Sequence, residues 1–484
     1  MKKRTITIAF AALLGTAVLA QDQSPALVLN LGEAIEYANE NNKSLMNSRQ
    51  ELDKSQSAIW EAISQGLPQA DIAVDYMTYF GYEMEFSFGG DFDPESPEFA
   101  AADIAAQEAT FLQFPGTTVM DLYRYSAGSF YETTLSSELG GGTILMSDQF
   151  TAKLQVSQLI FSGQYIVGIQ TAKLAKEIAG MALSNSEVST KEAVISAYYL
   201  TLITERSLDF LEGNLENLRS MMQQTEKMFE AGMAEKTDTD QFKVTVNQLE
   251  NTKRSMERGL ELNYNMLRFT LGVPAGTEIT LSDNLESLFN EMAAIDLLMK
   301  DFDKEQNITY QMVAAESEIN KKLWNIEKWN YAPTFVGFYN YNQKILTAGF
   351  DMTPNHLAGL SLSIPVFSSG MRKAKVNQAR IQYEMSERNS EIMADQLEIQ
   401  NRQLKYNLES SVENYTTQIE NVEVAENVLK SYQRKYQNGM ASSMEVTQAN
   451  SSYLEAQSSY LSAMFDVMNA RIQLEKLMNN LSNL

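Results

Sequence analysis

The chain has 484 residues, no cysteine, a single histidine at His356 and a formal net charge of −24. Disulfides and thiolate metal ligands are excluded, sites built from several imidazoles are excluded, and any Ser/His/Asp triad would have to use position 356, which reads as a solvated loop residue beside Pro354 and Asn355. Acidity of this size disfavours nucleic acid and anionic membrane surfaces as partners.

Residues 1–20 read as a secretory leader: Lys2, Lys3 and Arg4, then an interrupted apolar run from Ile6 to Leu19, with cleavage expected after Ala20. Its removal takes three bases and no acids, so the mature charge becomes −24 − 3 = −27. No later stretch supplies about 18 to 20 continuous apolar residues, so passage through a membrane is expected only as a β-barrel. From Leu31 to about Gly66 the spacing is helical, closed by Gln65-Gly66-Leu67-Pro68. Alternation follows, with Ile72, Val74, Tyr76 and Phe80 expected on one face and Asp71, Ala73 and Asp75 on the other.

Residues 81–149 are rich in Gly, Asp, Glu, Phe and Ser and read as a long loop, with a short helix near Ala100 to Phe111. Gly140-Gly141-Gly142 lacks the Lys-Ser/Thr pair of a phosphate-binding loop. Alternation returns in Leu154-Gln-Val-Ser-Gln158 and the strand closes at Leu159-Ile-Phe-Ser-Gly163. A helical run from Gln164 to about Ala231 carries Leu211, Leu215, Leu218 and Met222 as a coiled-coil seam, and its length is on the order of 100 Å. Gly232 ends it, and a second run reaches Leu271-Gly272 before a mixed segment to about Phe302.

The order then repeats. Helical spacing covers Asn307 to Trp329, followed by Ala332-Pro333 and a strand in which Phe335, Tyr339 and Tyr341 share a face. A short loop through Met352 to His356 leads to a strand with Leu360, Leu362, Ile364 and Val366 on one side and Ser361 and Ser363 on the other. Phe367-Ser-Ser-Gly370 mirrors Phe161-Ser-Gly163, with 370 − 163 = 207. Gly439 mirrors Gly232, with 439 − 232 = 207, and a second helix of the same order of length lies between Gly370 and Gly439. The last helix carries Val446, Tyr453, Tyr460, Val467, Leu474 and Leu481 at steps of seven, with Ala449, Ala456, Ala463, Ala470 and Leu477 completing the seam. Two landmarks at one offset mark an internal duplication. The expected organisation is a leader (1–20), a first repeat (21–272, strands 68–80 and 150–162, helical hairpin 163–272), a linker (273–303) and a second repeat (304–484, strands 333–342 and 357–367, hairpin 370–480).

The fold class is mainly α with a small β part. Four strands cannot close a channel-forming barrel, and an open sheet in lipid leaves its edges unsatisfied. The chain is therefore expected to pool strands by oligomerising. The alternative is a periplasm-spanning structural or adhesive coiled-coil protein without an open channel, which leaves the two strand alternations unexplained.

Five motifs carry a resemblance: Leu31-Gly-Glu-Ala-Ile-Glu-Tyr-Ala38 with Asn41-Asn42, Gln158-Leu-Ile-Phe-Ser-Gly163, Ile364-Pro-Val-Phe-Ser-Ser-Gly370, and the turns Phe229-Glu-Ala-Gly-Met-Ala234 and Tyr436-Gln-Asn-Gly-Met-Ala441. In order and duplication the chain resembles the TolC-like outer-membrane efflux family over nearly all of residues 25–480. The resemblance implies a homotrimer with a twelve-stranded outer-membrane barrel and a periplasmic α-helical barrel. It implies a periplasmic adaptor and an inner-membrane pump as partners, contact with outer-membrane lipid, and export without chemistry, cofactor or bound metal. By position, Ala231, Gly232 and Met233, and Asn438, Gly439 and Met440, match the adaptor-docking turns. In the family's type member two acids on the last long helix line the entrance as rings. Glu445 matches the first and Gln448 stands at the second, with Asp238 as a cap-region acid and weaker ring candidate. A ring of three Glu445 carboxylates would favour bound cations or raised pKa values. The 81–149 loop matches the extracellular side and is expected to cover the exit partly.

Overall fold

A computed structural model describes residues 27–78, 80, 83–86, 142–145, 148–291, 294–346, 354–479 and 481. The leader at 1–20 and the helix expected near Ala100 to Phe111 lie outside these residues. In chain order the elements are β1 (Leu27–Leu29), α1 (Leu31–Asn41), α2 (Lys43–Ser64), β2 (Gln69–Met77), β3 (Glu83–Phe86), β4 (Gly142–Leu145), β5 (Gln149–Phe161), α3 (Gly163–Glu230) and α4 (Lys236–Leu271). They continue with β6 (Ile279–Leu281), α5 (Leu285–Glu291), α6 (Ala294–Leu298), a 3-10 turn (Lys304–Gln306), α7 (Ile308–Trp329), β7 (Thr334–Leu346), β8 (His356–Ser363), α8 (Met371–Gln437) and α9 (Ser443–Leu477). The chain divides into two compact units, one formed by residues 63–165 and 332–366, the other by the remainder.

The first unit is a four-stranded antiparallel sheet in the order β2-β5-β7-β8, two strands from each repeat. Ile72 lies opposite Leu154, Leu154 opposite Tyr341 and Tyr341 opposite His356. With period-two alternation this row fixes one face, which also holds Val74, Val156, Tyr339, Leu360 and Leu362. The opposite face carries Asp71, Asp75, Lys153, Gln155, Asn340, Asn342, Ser361 and Ser363. The apolar face is open: Ile72 is 75% exposed and Leu360 69%. An uncovered face of this composition matches a wall between lipid and water.

Four expectations need correction here. Phe80 lies beyond the end of β2 with φ 52°, so it leaves the face of Ile72, Val74 and Tyr76. Strand β8 ends at Ser363, which removes Ile364 and Val366 from its apolar row, because Pro365 has no N–H to give to a ladder. His356 is not a loop residue; it opens β8, its ring 4.8 Å from that of Tyr341 and its Nδ1 2.8 Å from the Tyr339 hydroxyl. Finally, the stretch 81–149, expected to be a long loop with one short helix, contains β3 and β4, paired antiparallel with Glu83 opposite Leu145.

In the second unit α3 and α8 have 68 and 67 residues, each about 100 Å of helix. The seam of α9 is buried at its start and over its second half, at Val446, Ala449, Ala463, Val467, Leu474 and Leu477, while Tyr453, Ala456 and Tyr460 between them are half-buried. A three-residue parallel pair, β1 with β6, sits beside the largest core and went unread in the sequence. Tyr198 is fully buried there, donating to Asp283 Oδ2 at 2.9 Å, with the Leu29 carbonyl 3.1 Å away. Asp283 also accepts from the Leu31 amide at 2.7 Å. Burial, reinforced by the Asp283 carboxylate, pushes the Tyr198 hydroxyl far above its ordinary range, so it stays a donor.

The helical stretch expected from Leu31 to about Gly66 is two helices, divided at Asn42, which is extended. The Asn42 side chain accepts from the amides of Ser44 and Leu45 at 2.9 and 3.1 Å and donates to the Thr270 carbonyl at 2.7 Å. One residue thus ends α1, caps α2 and ties both to α4. Gly272 closes α4 in the left-handed region at φ 80°, and a Cβ there would lie 2.3 Å from the Asn41 carbonyl oxygen.

Three outcomes follow. Gly272→Ala meets both backbone strain and a backbone clash, and is expected to destabilise the helical unit by at least about 1–3 kcal/mol, read as a fall in apparent Tm in detergent. Arginine at Leu360 is expected to cost about 2–4 kcal/mol on a lipid-facing wall and to block membrane insertion. Ser361→Arg, one residue along on the polar face, is expected to insert normally in the same fractionation assay.

Candidate functional site

The duplicated turns are built the same way. At the end of α3, Gly232 is left-handed at φ 72°, the Met233 amide donates to the Met228 carbonyl at 2.7 Å and the Gly232 amide to that of Phe229 at 2.9 Å. At the end of α8, Gly439 has φ 69°, Met440 donates to Lys435 at 2.8 Å and Gly439 to Tyr436 at 2.9 Å. Both are Schellman closures, in which these two bonds satisfy carbonyls that the ended helix orphans. The residue after each glycine faces solvent, with Met233 74% and Met440 70% exposed. Met444 is exposed beside them. Each hairpin therefore ends in a small, rigid turn presenting a thioether to the outside.

The helices leaving the turns are capped differently. Ser442 and Glu445 form a full capping box: the Ser442 hydroxyl accepts from the Glu445 amide at 3.3 Å, and Glu445 Oε2 accepts from the Ser442 amide at 2.8 Å. The Ser442 hydroxyl also donates to Glu445 Oε2, at 2.9 Å. At the other turn the Glu235 amide donates to Asp238 Oδ2 at 3.3 Å. The second oxygen of Asp238 accepts from the Ser443 hydroxyl at 2.6 Å, a bond between the two repeats.

A second tie lies one turn deeper. The hydroxyls of Thr225 and Tyr436 are 2.8 Å apart and buried, and the Tyr436 ring meets that of Phe242 edge-on at 5.6 Å. Leu215, Leu218, Met221, Val246 and Val446 complete this core. Burial raises the Tyr436 hydroxyl above its ordinary range, so it remains protonated in the contact. The two turns thus form one packed assembly held by two polar bonds.

The sequence-predicted residues fall as follows. Ala231, Gly232, Met233, Asn438, Gly439 and Met440 occupy the turns themselves. Glu445 and Gln448 share an exposed face of α9 one turn apart. The Ser442 amide, and after it the Ser442 hydroxyl, hold the Glu445 carboxyl below its ordinary range. Within one chain this shift is opposite in sign to the rise a ring of three such carboxylates would impose. Asp238 is engaged by Ser443 and Glu235. Thr225, Phe242 and Tyr436 went unread as a group, because they come from three helices. The available signal was the equivalence of Tyr436 and Phe229 at the repeat offset, 436 − 229 = 207. Among the described residues no cluster of His, Asp or Glu could hold a metal ion.

The profile of the family described as "Outer membrane efflux protein" matches residues 125–273 and 322–480, one segment from each repeat and more than half of the chain. The chain belongs to the outer membrane efflux protein family. It is 18% identical over 342 residues to the outer membrane protein TolC of Vibrio cholerae serotype O1, covering 69% of this chain and 78% of that one. Among solved structures it is similar to the outer membrane protein VceC from Vibrio cholerae, with TM-score 0.63 and 14% identity over 93% of this chain and 95% of that one. It is also similar to the Campylobacter jejuni CmeC outer membrane channel, with TM-score 0.65 and 11% identity over 99% and 94%. At these identities the structural likeness is one of fold. This efflux protein is an outer-membrane protein that extends into the periplasm.

Ser442→Ala is expected to cost the first turn of α9 about 1 kcal/mol, visible as faster amide exchange there. A carboxyl whose pKa is lowered on folding stabilises above its ordinary value, 4.5 for Glu445, and loses that contribution as pH falls through the lowered one. Amide exchange at this turn should therefore separate Glu445→Gln from the parent at neutral pH and bring the two together in acid, once the pH has fallen through the lowered value.

Proposed function

We propose that the protein is the exit duct of a tripartite efflux or type I secretion machine, passing substrates from an inner-membrane pump and a periplasmic adaptor to the exterior. The observation that carries this reading is the four-stranded sheet with one bare apolar face and, among the described residues, no strand paired to the outer edges of β2 and β8. Edges of this kind in hydrocarbon require partners, and copies of the same sheet supply them. Three copies give the twelve-stranded barrel of a homotrimer, with the face of Asp71, Asp75, Lys153 and Asn342 toward water.

In this reading the Gly232 and Gly439 turns receive the adaptor. Exposed, rigid and nearly identical, they offer two copies of one docking shape per chain, with Ala231, Met233, Asn438 and Met440 at the surface. The Thr225–Tyr436 and Asp238–Ser443 bonds hold the turns together at the entrance. Glu445 adds one carboxylate per chain to that entrance, and Gln448 contributes none.

The decisive measurement is planar-bilayer recording of the purified protein. Discrete conductance steps are expected, with a changed response to divalent cations in Glu445→Gln. Tyr436→Phe combined with Ser443→Ala is expected to raise conductance by removing both bonds. Silence under all voltages would instead support the structural or adhesive reading. The chain has no cysteine, so Met440→Cys gives a unique reactive thiol. It is expected to crosslink to the adaptor in whole cells, while a Cys at exposed Leu262, in the last third of α4, is not.

A further inference from the structure

The apolar packing of the helical unit falls into separate cores, and it is interrupted between two of them. The core at the turns reaches Leu249, and the largest core takes up again at Phe210 and Leu461. Between these residues α3, α4 and α9 leave a cavity of about 270 Å³. Protein interiors are otherwise close-packed, and atoms that face a gap forfeit dispersion contacts. The half-buried seam residues Tyr453, Ala456 and Tyr460 lie on the same stretch of α9. Both repeats build the cavity, since α3 and α4 belong to the first and α9 to the second.

Phe210, Leu211, Leu249, Met256, Leu454 and Leu461 give the cavity apolar walls. Among the described residues Glu455 is the one charged side chain of the lining; it is exposed and forms no hydrogen bond or ion pair. Gln457 is buried in the lining, and its Oε1 is taken by the Asn214 amide at 2.9 Å. The cations that flank lining residues in sequence are already neutralised. Arg206 lies 4.7 Å from the Phe210 ring but pairs with Glu286 at 2.9 Å and Asp209 at 3.8 Å. Lys253 pairs with Glu212 at 2.8 Å and Glu257 at 3.6 Å. An apolar chamber with a free carboxylate at its exposed side and no base in its lining is complementary in charge to one class of small molecule.

We propose that the cavity between α3, α4 and α9 binds small amphipathic organic cations, with the apolar body in the chamber and the cationic group at Glu455. An aromatic body meets Phe210 and Met256, where ring and sulfur contacts add to simple burial. An anion of the same shape is repelled by Glu455. A cation without an apolar body gains nothing from the walls and leaves the gap unfilled. Because the walls come from both repeats, the ligand braces one against the other and stabilises the helical unit by mass action. The inference rests on packing within one chain and not on conduction, so it and the proposed channel fail separately.

The test is calorimetric titration of the full-length protein in non-ionic detergent with benzyltrimethylammonium, 3-phenylpropionate or tetramethylammonium, with thermal stability followed in parallel. Binding and stabilisation by benzyltrimethylammonium alone are expected. Glu455→Gln is expected to weaken that binding roughly five-fold, the contribution of one exposed ion pair, and Glu455→Asp to retain it. Met256→Trp fills the chamber and is expected to abolish binding while the unliganded protein keeps its thermal transition. Equal binding of 3-phenylpropionate overturns the proposal, and equal binding of tetramethylammonium does so by reducing Glu455 to a surface ion pair. Unchanged affinity in Glu455→Gln overturns it, as does unchanged affinity in a folded Met256→Trp, which would place the ligand in the detergent or elsewhere on the protein. No binding of any of the three also overturns it, and would assign the gap to contacts between copies of the chain.

Discussion

A sheet edge inside hydrocarbon finds no water to bond, and this constraint governs the protein's design. Strands β2 and β8 each offer a row of backbone groups on their outer side, and a single copy of the chain supplies no described strand to pair with either. The side-chain alternation is subordinate to this demand. A bare apolar face is of use only where lipid lies on one side, and a lipid-facing sheet survives only if its edges are closed. Charged and amide side chains on the other face then meet water in the only place left for it. The oligomer is thus a condition of the sheet's existence and not an addition to a finished fold.

The helical unit solves a different problem, that of keeping very long helices in register. Helices of about 100 Å have many nearly equivalent ways to slide, and a heptad seam alone does not choose among them. Polar bonds at fixed heights do. Asn42 stops one helix, starts the next and grips the end of α4, while Tyr198 and Asp283 fix β1 and the start of α1 in the buried core. At the far end of the hairpins, Thr225 with Tyr436 and Asp238 with Ser443 align the repeats with each other. Each pin is polar and directional, and each stands next to apolar packing that supplies most of the burial.

What could be read from the sequence tracks the range of the physics involved. The paired turns at Gly232 and Gly439 were legible because a left-handed residue followed by a capped helix is decided within a few positions. The face of Leu360 and Leu362 was legible because alternation is local. The β1–β6 pair was not, since two three-residue strands some 250 residues apart leave no periodic trace. The break at Asn42 was missed because asparagine ends a helix there only when Thr270 stands ready to accept its amide. Strands β3 and β4 were hidden by the glycine-rich and acidic sequence around them. At the turns the individual residues were visible, but the burial of Tyr436 against Phe242 and Thr225 needed three helices to be brought together.

The exposed thioethers of the turns have a chemical consequence of their own. Met233, Met440 and Met444 face solvent, whereas Met464 and Met468 are sealed in the core. An oxidant would reach the first group and spare the second, turning flexible apolar side chains into polar, chiral sulfoxides without loosening the fold. Because methionine sulfoxide is enzymatically reducible, the turns would register oxidative exposure reversibly. The surface contacts of this protein would thus age and be repaired on a schedule separate from that of its scaffold.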